Sequence, residues 1–121
     1  MAGVPGEPPI DKLRVFRDLR RDLYGRGYAL WETSAGVNEL AWARADALAA
    51  VQTLAEAGHC IPGGDVWSIG TPGVPRPTYD NWHFEPTGSA EDVAKGRGIA
   101  TSFIERYEGD PTTTHFTIVW R

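Results

Sequence analysis

The sequence predicts an α+β fold: three helices packed on one face of a small, mainly antiparallel sheet of about three strands. Three observations predict it. Residues 38–57 and 89–107 carry apolar side chains at the three-to-four spacing of a helix. Residues 66–69, 79–85 and 113–120 are short and rich in β-branched and aromatic residues, as strands are. The third helix separates the second strand from the last, so a chain that returns across the sheet sets the last strand antiparallel to the first. With 121 residues the chain has room for one core.

Taken in order, residues 1–10 are rich in Pro and Gly and read as a flexible or polyproline-like tail, and residues 11–121 as a single domain. Asp11 is placed to cap a first helix over residues 12–24, in which Leu13, Phe16, Leu19 and Leu23 form a buried stripe and Gly25 and Gly27 end the run. Tyr28-Ala29-Leu30-Trp31 is either extended or a loop that plugs the core, and is assigned as coil. The second helix runs from Asn38, a good N-cap, to Ala57, with Leu40, Ala43, Ala47, Leu48, Val51, Leu54 and Ala55 on its apolar stripe and Gly58 as a left-handed C-cap.

A turn at Gly63-Gly64-Asp65 then leads into the first strand, carried by Val66, Trp67 and Ile69. Residues 70–78 contain three prolines and two glycines and are expected to hold no ladder. The next strand, residues 79–85, alternates Tyr79, Asn81, His83 and Glu85 with Asp80, Trp82 and Phe84, which suggests a hairpin with the first strand. Ser89-Ala90-Glu91-Asp92 resembles a capping box and starts a third helix with Val93, Ala100, Phe103, Ile104 and Tyr107 inward. Gly96 and Gly98 weaken it, which points to close packing or a kink. Residues 113–120 form the last strand, Phe116, Ile118 and Trp120 on one face and His115, Thr117 and Val119 on the other.

The composition narrows the function. A formal charge of −4, from 12 Lys and Arg against 16 Asp and Glu, argues against a phosphate-binding surface, so no nucleic-acid partner is expected. Arg14, Arg17 and Arg21 share one side of the first helix but read as a solvated face paired with Asp11, Asp18 and Asp22. The most apolar stretch, residues 40–57, is interrupted by Arg44, Asp46, Gln52 and Glu56, so no membrane span is expected. No secretory signal stands at the N-terminus, and the single cysteine, Cys60, fits a reducing compartment; the expected location is the cytoplasm.

Three constellations bear on chemistry. Gly63-Gly64-Asp65 lacks the lysine and the spacing of a phosphate loop, and Asp65 reads as closing its turn. Asp65, Asp80 and His83 would share one end of the hairpin and imitate a metal or acid–base site, yet His59, His83 and His115 occur singly, without metal-ligand spacing. Cys60 follows His59 directly, and neighbouring residues seldom point at each other, so Cys60 reads as buried in core or turn. No catalytic residue, metal or cofactor is therefore assigned. Five Trp residues are more than one small core readily hides, and Trp67 and Trp82, on neighbouring strands, are expected to form a partly exposed pair.

The run from Trp42 through Gly58, Ile61, Gly63-Gly64-Asp65-Val66-Trp67 and Tyr79-Asp80-Asn81-Trp82-His83 to Phe103-Ile104-Glu105-Arg106-Tyr107 resembles the immunity protein 40 family of bacterial polymorphic toxin systems. His83 stands where an aromatic residue is expected and Pro62 where an apolar one is. The resemblance implies a non-enzymatic antidote that binds and neutralises a cognate toxin domain in the cytoplasm; a monomer or weak homodimer is expected. An acidic chain suits a basic target. The expected contact residues are Trp67, Tyr79, Asp80, Trp82 and Glu85, with Gly63, Gly64 and Asp65 as a structural motif. The competing readings are a small hydrolytic or metal-dependent enzyme using Asp65, Asp80 and His83, and a self-associating structural module.

Overall fold

The computed structural model describes residues 19, 21–70 and 73–121, with only the backbone of Arg21. The expected tail, most of the first helix, and Arg14, Arg17 and Arg20 lie outside the described residues. Among those described, three helices and five strands follow in the order α1 (Arg21–Arg26), β1 (Tyr28–Ala29), β2 (Leu40–Trp42), α2 (Arg44–Glu56), β3 (Gly63–Ile69), β4 (Pro75–His83), α3 (Glu91–Arg106) and β5 (Thr114–Val119). They build a single sheet in the order β1-β2-β5-β3-β4, antiparallel at every pairing. The α+β class and the antiparallel relation of β5 to β3 agree with the sequence; the sheet has five strands rather than about three.

The two additional strands come from segments read otherwise. Leu40–Trp42 was expected in the first turn of a helix capped by Asn38, yet it pairs Ala41 with Thr117 and Trp42 with Phe116, and α2 begins only at Arg44. All three residues are buried, and the Trp42 indole donates to the Leu23 carbonyl at 2.8 Å. Burial on both faces of a sheet outweighs the few tenths of a kcal/mol by which helix propensities differ. Tyr28–Ala29, assigned as coil, pairs with Leu40 and Ala41 as β1, and a 3-10 turn, Leu30–Glu32, follows it. At its other end α2 matches expectation, with Gly58 at a φ of 90°.

β4 also begins earlier than expected, at Pro75, within the stretch thought unable to hold a ladder. The reason is position: β4 is an outer strand, and there a missing N–H can face away from the sheet. Likewise Gly63-Gly64-Asp65 is not a turn but the start of β3, flanked by β4 and β5. The glycines are required by close approach. A Cβ on Gly63 would run into the Trp82 carbonyl, and one on Gly64 into the Thr117 carbonyl and the Trp82 ring.

The three helices share one side of the sheet. Leu23, Val51, Leu54, Ala100 and Ile104 meet Val66, Trp82, Phe116, Ile118 and Trp120 in the main core. Gly96 allows α3 its close approach, since a Cβ there would lie 2.7 Å from the Ile61 carbonyl oxygen, whereas Gly98 has open space beside it. The opposite face carries a second, smaller core of Leu30, Ala41, Trp67 and Ile69, against which Tyr28, Ala35 and Val37 pack. Thus the coil that was allowed to plug the core does contribute a plug, Leu30, on the face away from the helices.

Candidate functional site

An aromatic surface feature lies where α3 passes over the β3–β4 hairpin. The absent side chain of Gly64 leaves room for the Trp82 indole. That ring stacks on Phe103 with centroids 5.0 Å apart, Phe103 meets Tyr107 at 5.7 Å, and Tyr107 meets the edge of Phe116 at 5.8 Å. Contacts of this geometry add about 0.5–1.5 kcal/mol each beyond the area they bury. The Tyr107 hydroxyl donates to Asp80 Oδ2 at 2.6 Å, joining the end of α3 to β4, and this bond raises the Tyr107 pKa above its ordinary value. Arg44, in the first turn of α2, donates to the Tyr107 carbonyl.

Outside this aromatic row runs an open groove of about 650 Å³, lined by Trp82, Gly98, Ile99, Ser102, Phe103 and Tyr107, with Arg106 and Glu108 also on its walls. The sequence reading selected Trp82 but not Ile99, Ser102 or Arg106. A signal was present. Ile99, Phe103 and Tyr107 repeat at intervals of four beside the buried Gly96, Ala100 and Ile104, so the apolar arc of α3 is wider than the arc the core covers.

The expected contact residues are placed as follows. Tyr79 is 85% exposed, and it holds a φ of 70° at the irregularity in β4. Asp80 is exposed and bound to Tyr107, and Glu85 is exposed beside His83, with Oε2 3.4 Å from Nε2. Trp67 and Trp82 do not form an exposed pair. They are only 9% and 6% exposed and belong to the two cores on opposite faces of the sheet. The reason is alternation: Trp82 lies opposite Gly64 and shares its face, whereas Trp67, an odd number of residues further along β3, points to the other. The Nε1 atoms of both are buried with no hydrogen-bond partner among the described residues.

The acid–histidine grouping is divided by the same register. Asp65 lies opposite Asn81 and Gly63 opposite His83, which puts Asp65 and His83 on the face away from the helices, while Asp80 turns to Tyr107. Asp65, no longer in a turn, is exposed on β3. Among the described residues no three His, Cys, Asp or Glu side chains gather as a metal site. His59 Nδ1 lies 3.1 Å from the Arg121 carbonyl oxygen, and burial together with the charge of Asp92 pushes the half-buried Cys60 thiol up in pKa. A reactive thiol requires the opposite shift.

Fold and surface together define a small antiparallel α+β protein with an aromatic groove at one sheet margin. The chain belongs to the immunity protein 40 family, whose model matches residues 32–120 and so takes in every element from β2 to β5. Comparison with curated proteins and with solved structures gives no match. No helix among the described residues is long and apolar enough to cross a membrane.

Proposed function

We propose that this protein is the antidote of a bacterial toxin–immunity pair, which binds a cognate polymorphic toxin domain in the cytoplasm and blocks it by occupancy, without turnover. The observation that carries this reading is membership of the immunity protein 40 family over residues 32–120. The surface is consistent with it. The half-buried Phe103 and Tyr107, backed by Trp82, supply aromatic area of the kind that dominates protein interfaces, Asp80 stands exposed beside them, bound to Tyr107, and Tyr79 and Glu85 are exposed on and just beyond β4. Trp67 is left out of the contact, because it supports β3 from behind.

The test is co-expression with the C-terminal toxin domain encoded by the adjoining gene. Protection of the host from growth arrest and a 1:1 complex on size-exclusion chromatography with mass measurement are expected. A toxin domain that neither binds nor is neutralised overturns the reading, and a stable homo-oligomer indifferent to the toxin would favour a structural module instead.

A further inference from the structure

Among the described residues β4 is an outer strand, and its edge is closed along one half and open along the other. Phe84 N–H donates inward to the Pro62 carbonyl at 2.9 Å. Successive residues of an antiparallel strand turn their backbone groups to opposite sides, so Trp82, opposite Gly64, also faces β3. Asn81 and His83 therefore turn their N–H and C=O groups outward. On the other side of the bulge, Ile69 N–H donates to the Thr113 carbonyl at 2.8 Å, which directs Ser68 toward its partner Arg76. Pro75 and Pro77 then occupy the outward positions, where they offer no donor to an incoming strand. Between the halves the Thr78 hydroxyl donates to the Val66 carbonyl at 2.9 Å, in place of a ladder bond.

The groove is continuous with the open half. Its only strand residue is Trp82, which stands between Asn81 and His83, and the rest of its lining belongs to α3 and the residues that follow it. A strand added outside Asn81–His83 would run below Ile99 and Ser102 and send a side chain into that groove. We propose that the Asn81–His83 edge takes up an extended segment of the cognate toxin domain as a sixth strand, with one apolar side chain of the segment seated between Trp82, Ile99 and Phe103. This rests on the immunity reading above.

Two observations select that occupant. Asp65, Asp80, Glu85 and Glu108 lie near the edge against Arg76, Lys95 and Arg106, all exposed, so the balance is acidic and a segment with Lys or Arg beside its apolar residue is complementary. A second copy pairing through its own β4 would bring these same acids together. It would also bring its own Trp82 and covering helix to the space already overhung by α3.

The test uses the full chain and the toxin domain encoded beside it. His83→Pro removes the outward N–H, as at Pro75 and Pro77, together with the exposed imidazole, and is expected to retain the wild-type circular dichroism spectrum while weakening binding by roughly 100-fold. His83→Thr keeps the N–H and is expected to bind within about 5-fold of wild type, since the side chain is not the contact. Gly98→Leu fills the groove from an open position and is expected to weaken binding by roughly 10-fold or more. In the wild-type complex the Asn81 and His83 amides should become protected from hydrogen exchange. Toxin binding that leaves those amides unprotected and is unaffected by His83→Pro overturns the edge proposal and leaves the immunity reading standing. Absence of toxin binding by the wild type overturns both.

Discussion

Gly64 lacks a side chain at the place where Trp82 sits, and that exchange holds the hairpin to α3. Adding one methyl group there would force it against the Thr117 carbonyl on one side and the Trp82 ring on the other. Neither can retreat without disturbing the Trp82–Phe103–Tyr107 row. Gly64→Ala is therefore expected to destabilise the fold by about 3 kcal/mol, the upper part of the range for overpacked sites, as read from denaturant midpoints. The adjacent glycines and the aspartate were visible in the sequence as a motif, but their reason was not. A glycine in a turn and a glycine beneath an indole look the same until the partner strand is known.

At the scale of elements, α3 shows a helix start foreseen in place and, in part, in mechanism. The expected capping box has Ser89 as the cap; the residue directly before the helix is Ala90, which offers no side-chain bond, but Ser89 Oγ accepts the Glu91 N–H at 3.3 Å. Asp92 also reaches back, accepting from the Thr87 N–H at 3.1 Å, the Thr87 hydroxyl at 2.9 Å and the Gly88 N–H at 2.8 Å. These bonds, led by that from the Thr87 backbone, lower the Asp92 pKa. A carboxylate whose pKa is lower folded than unfolded stabilises the protein above the ordinary carboxylate range, and that stability is lost as pH falls through the lowered value. Asp92→Asn is thus expected to melt below wild type at pH 7, with the gap closing as the pH is taken below about 4. Parallel melting curves across that range would refute the assignment. β4 is the counterpart case: its prolines suggested a loop from composition, and only its place at the sheet margin makes them compatible with a strand.

For the whole molecule, the sheet separates two unequal cores, and its helical side presents the groove at one margin. The formal charge of −4 belongs to the entire chain. It therefore acts on how fast a partner arrives more than on how tightly it is held. If the partner is a basic toxin domain, the association rate is expected to fall by roughly 10-fold or more between low salt and about 0.5 M salt, with dissociation changed much less. Stopped-flow mixing at several ionic strengths would measure this, and a rate indifferent to salt would show that the acidic surface does not steer the encounter.

The sequence by itself determined the class of fold, the three helices, the strands at residues 63–69, 75–83 and 114–119 to within a few positions, and the family, because periodicity and local motifs are properties of neighbouring residues. It also indicated the inward set of α3 and β5, since alternation along one element needs no knowledge of another. Tertiary structure decided the rest. Leu40–Trp42 became a strand through pairing with β5, and Trp67 and Trp82 were parted to opposite faces by the register that sets Trp82 against Gly64. The open half of β4 emerged from a register set by two other strands. Which backbone groups remain unpaired, and which aromatic rings border a groove, depends on contacts between residues far apart in the chain, and no local pattern carries them.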